Sequence, residues 1–448
     1  MIKRKIYNYL HSFFKENKKS LLITGARQVG KTYAIREIGK ACFKHFVEFN
    51  FIEEPKLKTV FADPHDAESL LLRLSAMAKT KLIPNQTLIF FDEVQECPEV
   101  VTAIKFLVDE GSYRYVMSGS LLGVELKDLR SVPVGYMAEK EMNPLDFEEF
   151  ATALGMSDEV MEHLYNCYEH RQPVDSVVHD KMLELLRLYL VIGGMPAVVA
   201  KYLATNNLQE VRDEQENIVR MYQKDITKYD ADNKLYIKEI FDMIPSELNA
   251  KNKRFILKSL HEKAKFYRYK NSFLWLADAG VALPTYNVEE PRLPLKLNEQ
   301  RNLFKLFLND VGLLACLYSQ SFQSDIIMGE VNGNYGAVFE NFAAQELHAH
   351  GYALYYFNSK KQGELDFVIE HEGRVLPIEI KSGKNYKRHN ALTNVMGNAD
   401  YAIKEAVVFA SGNIEVQENT VYLPVYMLMY LRPKEMTNPI FVFHPAHL

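Results

Sequence analysis

Cysteine is scarce in this chain of 448 residues: Cys42, Cys97, Cys167 and Cys316 stand apart, with no Cys-x-x-Cys pair. That spacing supports neither a disulfide framework nor a zinc ribbon, and a reduced cytoplasmic setting follows as the expectation. Long apolar runs are also missing. No uninterrupted stretch reaches the roughly 20 apolar residues that a bilayer-spanning helix needs, and the basic start MIKRKIYNYLHSFFKENKK meets charges again before any signal-peptide core. Internal repeats and low-complexity tracts are absent. Nor is there an overall positive charge: the formal net charge of -5 gives no global attraction to nucleic acid. What remains, 48% hydrophobic and 25% charged residues, reads as a soluble globular chain, and its length suggests about three domains.

Charge is nevertheless uneven. Lys251, Lys253, Arg254, Lys258, Lys263, Lys265, Arg268 and Lys270 lie within one short segment whose single acid is Glu262. Local patches of this kind, rather than the total, decide contact with nucleic acid.

The stretch LLITGARQVGKT is an apolar strand running into Gly25-Ala-Arg-Gln-Val-Gly30-Lys31-Thr32, a complete G-x-x-x-x-G-K-[ST]. Gly25 and Gly30 let backbone N–H groups curl around phosphate oxygens. Lys31 reaches the β- and γ-phosphates, and the Thr32 hydroxyl can ligate Mg²⁺ at the start of the next helix. A second apolar strand, TLIFFDEVQ, ends in Asp92 and Glu93. Asp92 is placed to hold Mg²⁺ and Glu93 to orient and deprotonate the attacking water, so the cofactors expected are ATP and Mg²⁺. A third strand, YRYVMSGS, ends in Ser118, Gly119 and Ser120, where one serine can sense the γ-phosphate. Arg130, Arg27 and Arg114 are the candidates for an arginine that reaches a neighbouring subunit's nucleotide.

Residues from about Lys18 to Phe150 resemble the ATPase domain of an AAA+-like family of bacterial and archaeal predicted ATPases that end in a domain of unknown function. The motifs that carry the resemblance are GARQVGKT, LIFFDEVQ, VMSGS and NPLDFEEF, followed by GGMPAVV and MYQKDITKY. The resemblance extends over nearly the whole chain and implies assembly as a homo-oligomer. Many members carry an arginine in the segment before the PLDFEEF box; here Tyr136 stands there, so the resemblance assigns no arginine finger to this loop.

From Asp158 to Lys228 the apolar spacing of MLELLRLYLVIGG predicts helices, broken at GGMP, as a lid or linker. Beyond it, IKEIFDMIPSELNA, KRFILKSLHEK and FYRYKNSFLWLADAG read as three helices, and VALPTYNV and LFKLFLND as two strands. That order is the order of a winged helix, which the resemblance also implies. The third helix carries Tyr267, Arg268 and Lys270 near its start, where a recognition helix meets DNA.

The last segment reads as a helix, YGAVFENFAAQELHAHG, and then strands ALYYFN, ELDFVIE and VLPIEIK. Period two puts Glu379 and Lys381 on one face of the third of these strands, and a hairpin brings Asp366 to the same face. The two carboxylates and the Ile380 carbonyl would make an oxygen-rich site for Mg²⁺ or Mn²⁺, with Lys381 beside the attacking water. An acid on one strand, Glu-x-Lys on the next and Glu340 on a preceding helix resemble the PD-(D/E)XK nuclease fold; Gln345 is the other helical candidate. The basic tail with Lys384, Lys387 and Arg388 would lie along a phosphate backbone. His389 has no second histidine at ligand spacing and reads as a surface residue.

The expected architecture is therefore a multidomain α/β chain. It comprises a P-loop AAA+-like domain over residues 1–155, a helical lid over 156–230, a winged helix over 231–325 and a restriction-endonuclease-like domain over 326–448. The leading expectation is an ATPase that controls DNA binding and metal-dependent DNA processing. The alternative is an ATP-dependent switch or scaffold for a protein partner, with a catalytically silent nuclease-like fold.

Overall fold

The run Thr87–Asp92 behaves as an almost continuous apolar strand should when both faces are covered, and all six of its residues are buried. It is β3 of a five-stranded parallel sheet with β1 (Ser20–Thr24), β2 (His45–Asn50), β4 (Arg114–Ser118) and β5 (Met137–Glu141), in the order β2-β3-β4-β1-β5. The computed structural model describes residues 2–62, 66–120, 135–229, 234–250, 253–256, 266–329, 335–383 and 385–434. Helix α1 (Lys5–Glu16) precedes the sheet, and α2 (Lys31–Cys42), α3 (Ala67–Met77) and α4 (Glu99–Glu110) are its crossovers. Because β4 lies between β1 and β3, the carboxyl ends of all three converge, which is where open parallel sheets bind ligands.

The NPLDFEEF box starts α5 (Phe147–Ala153) with a capping box: the Asp146 side chain accepts the Glu149 N–H, and the Glu149 side chain accepts the Asp146 N–H. Helices α6 (Asp158–His170), α7 (Ser176–Ile192), α8 (Pro196–Thr205), α9 (Leu208–Tyr229), α10 (Lys234–Asn249) and α11 (Phe266–Asp278) follow. The break at GGMP is a crowded joint. The Gly194 carbonyl accepts the Leu145 N–H at 2.7 Å, while the Gly194 N–H donates to Asp310 Oδ2 at 2.6 Å. Asp310 in turn caps α12 (Val311–Leu317) by accepting the Leu313 N–H at 2.9 Å. Of the three helices expected before the wing, α10 and α11 are present, whereas most of KRFILKSLHEK lies outside the described residues.

The second sheet changes one expectation. The strands expected as a free wing, β6 (Ala282–Val288) and β7 (Glu299–Leu308), do pair as an antiparallel hairpin. However, β6 also pairs in parallel with β8 (Tyr355–Ser359), so the hairpin forms one edge of an eight-stranded mixed sheet. The rest of that sheet is β9 (Gly363–His371), β10 (Arg374–Ile380), β11 (Ala406–Ala410), β12 (Glu415–Gln417) and β13 (Thr420–Pro424), in the order β12-β13-β11-β10-β9-β8-β6-β7. The sheet thus runs across the boundary expected at 325/326. The physical reason is burial: the second half of β7, Phe304–Leu308, is covered throughout and needs a partner layer.

That layer includes α14 (Gly336–Ala349), which follows α13 (Gln320–Met328) and is buried along most of its length, unlike an amphipathic surface helix. Helix α15 (Asn390–Met396) covers the other face, where Leu392 and Val395 join Val368 and Val408 in a separate apolar cluster. The main core is continuous from Leu21 and Phe90 of the first sheet, through Tyr189 and Leu190 of α7, to Phe307 and Phe409 of the second.

Candidate functional site

At the end of β1 the backbone turns through Gly25 (φ 123°) and Gly30 (φ 93°), both in the region that favours glycine. Space makes the same demand at Gly25, where an added Cβ would lie 2.2 Å from the Met142 carbonyl oxygen. Lys31 begins α2 with its Nζ turned back on the loop, donating to the carbonyls of Gly25 at 2.9 Å and Ala26 at 2.8 Å. The Thr32 hydroxyl is 3.2 Å from each oxygen of Asp92. Asp92 also accepts from Asn50 Nδ2 at 3.1 Å, from the Glu93 N–H at 3.1 Å and from the Ser118 hydroxyl. Burial pushes the Asp92 carboxyl above its ordinary value, with the Ser118 hydrogen bond opposing the rise.

The loop, Lys31, Thr32, Asp92 and Glu93 are therefore brought together. A hydroxyl and a carboxylate side by side are the hard oxygen donors that Mg²⁺ takes with nucleotide phosphates, so the residues fit both expected cofactors. Ser118 is placed differently from the expectation of a phosphate sensor: its hydroxyl is committed to Asp92 and it is buried. Glu93 has φ 58°, the left-handed region that a non-glycine residue occupies at a cost of about 1–3 kcal/mol. Its carboxylate is held by the Gln95 side-chain amide and lies 3.5 Å from the Ser120 hydroxyl. Asn50 and Gln95 were not among the expected residues. Asn50 reaches Asp92 only because β2 and β3 pair in the register Asn50↔Asp92.

Burial lowers the Lys31 ammonium to about 8, with Glu93 and Asp92 opposing the shift. Bound phosphates would hold that group charged, so nucleotide binding above this value takes up a proton. Affinity should be level near neutrality and fall with rising pH above it, by up to about tenfold per pH unit. Titration calorimetry at about pH 7 and about pH 9 reads this directly; unchanged affinity between them would refute it.

The outside of the loop is gripped by later parts of the chain. Arg27 pairs with Asp225 of α9 at 2.9 Å, and the Tyr222 hydroxyl donates to the Arg27 carbonyl at 3.3 Å. Gln28 Nε2 lies 3.3 Å from Met221 Sδ. These contacts come from the MYQKDITKY tract. At Gly280, before β6, an added Cβ would stand 2.9 Å from the Ala26 nitrogen, so that turn rests on the loop backbone. Beside Gly30 opens a mainly apolar cavity of about 600 Å³, lined by Tyr7, Tyr33, Met142, Pro196 and Ala200 among others. Its position next to the loop and its apolar walls suit a flat base.

The downstream acids also meet. Asp366 accepts the Ile380 N–H at 2.9 Å, joining β9 to β10, and Glu379 receives Lys381 Nζ at 2.5 Å. Glu340 of α14 is paired with Lys253 and, at 3.5 Å, with Lys305 of β7; Lys305 also pairs with Glu364 at 2.8 Å. Lys253, Lys305 and Glu364 were not foreseen as members. Burial pushes Glu379 up to about 8, with Asp366 adding to the rise and Lys381 opposing it. Asp366 lies below its ordinary value: burial acts to raise it, and Lys305, Lys253 and Lys381 together outweigh that. The residues do not fit the expected Mg²⁺ or Mn²⁺ here, because lysines already hold Glu340, Glu364 and Glu379. Among the described residues no three acids, histidines or cysteines are arranged to hold a metal ion.

Gln345 is not part of this group. Its carbonyl accepts the Val311 N–H and its amide donates to the Tyr189 hydroxyl, both at 2.8 Å. His389 Nε2 lies 2.6 Å from the Tyr422 hydroxyl, half-buried rather than on the open surface. Of the expected nucleic-acid residues, Lys270, Lys387 and Arg388 are exposed, and Lys387 pairs with Glu415. Lys263, Lys384 and Arg130, and the Arg268 side chain, lie outside the described residues. Arg114 begins β4, at the end of the sheet opposite the loop. No single helix among the described residues is long and apolar enough to cross a membrane.

Residues 17–151 match a family model described as an AAA domain. With the loop geometry and the parallel sheet, this makes the N-terminal part of the chain a P-loop ATPase-type domain. Residues 183–324 and 335–428 match two further families described as domains of unknown function, DUF8612 and DUF4143, and neither description names a nuclease. No curated protein matches the chain. Among solved structures it is similar to the Walker-type ATPase PABY2304 of Pyrococcus abyssi, with 13% identity over 71% of this chain and 96% of that one and a TM-score of 0.43. It is similar also to the Aeropyrum pernix ORC1 protein in complex with DNA, with 12% identity, 73% and 91% coverage and a TM-score of 0.26. A third is domain III of the Thermotoga maritima replication initiation protein DnaA, with 16% identity, 47% and 91% coverage and a TM-score of 0.27.

Proposed function

We propose that the chain is a Mg²⁺-dependent ATP hydrolase whose nucleotide state is passed to its C-terminal half. The observation that carries this reading is the convergence of Lys31, Thr32 and Asp92 around one point, with Glu93 immediately beyond. Lys31, now satisfied by loop carbonyls, exchanges them for β- and γ-phosphate oxygens. Thr32 and Asp92 would hold the Mg²⁺, which would supply neutralisation of the charge developing on the phosphates. Glu93, aligned by Gln95, orients a water and accepts its proton. The base lies in the apolar cavity between Tyr7, Tyr33 and Pro196.

Two contacts support the coupling: α9 grips Arg27 and Gln28, and the Gly280 turn rests on Ala26 just ahead of β6. Any change in the loop's path on filling must move or strain them. DNA is the partner we propose for the C-terminal half, through exposed Lys270, Lys387 and Arg388. No metal-dependent cleavage step is derived, since the residues do not fit the metal.

The test is steady-state hydrolysis by the full chain with Mg²⁺ and ATP. Wild type is expected to turn over and Lys31→Ala to lose both nucleotide affinity and turnover; equal rates would end this reading. DNA affinity should fall steeply with salt and weaken further when Lys270, Lys387 and Arg388 are neutralised together. Absence of any salt-sensitive affinity would turn the partner assignment toward protein.

A further inference from the structure

We infer that Lys305 is a built-in cation: its ammonium stands between Glu340 of α14 and Glu364 of β9, so that the acid cluster they form with Asp366 and Glu379 is complete without a divalent metal. The residue sits in LFKLFL, an otherwise apolar strand, and is fully buried. Its Nζ lies 2.8 Å from Glu364 Oε1 and 3.5 Å from Glu340 Oε2, and 5.1 Å from the centre of the Tyr356 ring. An ammonium so deep is retained only where carboxylates surround it, because desolvation otherwise expels or neutralises it. Glu340 is one of the acids expected at the metal site, and Glu364 stands two residues before another, Asp366.

The charge count makes the same point. Four carboxyls, Glu340, Glu364, Asp366 and Glu379, meet three ammoniums, those of Lys253, Lys305 and Lys381. Even with all four ionised the group has one unmatched negative charge, and each ammonium already lies within ion-pair distance of a carboxylate. A divalent ion added to this balance would bring unmatched charge into a poorly solvated place, so Lys305 would have to leave first. It cannot easily do so, since it is anchored on β7 with the sheet and α14 closing over it. The cluster instead joins four pieces of chain: the 253–256 segment, the β6–β7 hairpin, α14 and the β9–β10 hairpin.

The experiment is Mn²⁺ titration of the nucleotide-free full chain, followed by the electron paramagnetic resonance of the free ion. Wild type and Asp366→Asn should bind Mn²⁺ identically, because any binding at Thr32 and Asp92 is common to both. Lys305→Met, similar in length but uncharged, should create a site that tightens Mn²⁺ binding by about tenfold or more. Adding Asp366→Asn to it should remove that gain. Mn²⁺ binding by wild type that Asp366→Asn abolishes would overturn the inference, as would a folded Lys305→Met chain with no gain. Should Lys305→Met fail to fold, the comparison of wild type with Asp366→Asn decides alone: equality upholds the inference and loss overturns it.

Discussion

Glutamine at position 93 should leave ATP binding intact and slow hydrolysis by about two to three orders of magnitude, the usual worth of a positioned general base. The substitution is close to isosteric and keeps an oxygen that can orient water, but it cannot take up the proton. Geometry favours Glu93 over its neighbour for this role. Asp92 is buried and has partners in Thr32, Asn50, Ser118 and a backbone N–H. Glu93 is less enclosed, turned by its positive φ, and held by two side chains from beyond the strand. Single-turnover hydrolysis together with nucleotide affinity separates the two steps. Wild-type hydrolysis in Glu93→Gln would assign the base elsewhere, and lost affinity would show that Glu93 shapes the pocket.

Gly194→Ala should be among the most damaging single changes in the chain, destabilising it by about 3–5 kcal/mol through overpacking and broken hydrogen bonds together. The new Cβ would stand 2.0 Å from the Leu145 carbonyl oxygen and 2.8 Å from its nitrogen, so backbone must move. Movement there opens the bond from Leu145 to Gly194 and the bond from Gly194 to Asp310. Leu145 follows closely on Met142, which a Cβ added at either glycine of the phosphate loop would meet. Weaker nucleotide binding should therefore accompany the lost stability. Gly383→Ala is the control, since among the described residues nothing lies within 4 Å of its added Cβ and its φ is ordinary; it should stay within about 0.5 kcal/mol of wild type. Denaturant unfolding of both variants reads the difference, and equal midpoints would refute the steric account.

The phosphate loop was legible because its requirements are local: two glycines for two left-handed turns, and a lysine and a threonine at the following helix start. Asp92 and Glu93 could be read because a strand buried on both faces leaves few places for acids. The opposite limit is Asn50, whose contact with Asp92 depends on strand pairing between distant segments and leaves no mark in its own neighbourhood. Lys305 is an intermediate case. A lysine inside LFKLFL is a signal in itself, since burial obliges it to find carboxylates, yet which ones it finds depends on how β7 meets α14 and β9. The Asp146-x-x-Glu149 spacing is a capping box that could have been read directly. The hairpin β6–β7 was visible as two strands, but its attachment to β8 was not, because parallel pairing with a strand about 70 residues later has no turn to announce it.

That attachment bears on how the chain can be divided. A fragment ending at residue 325 would keep β6 but lose β8, leaving the hydrogen-bonding edge of an apolar strand open to other molecules. A fragment beginning at 326 would expose β8 in the same way and strip Glu340 and Glu364 of Lys305. Neither piece is expected to remain a well-behaved monomer. Two halves produced separately should instead recognise each other through the missing strand, as complementing fragments, so that the eight-stranded sheet is the smallest unit in which the C-terminal half can be inherited, exchanged or transplanted.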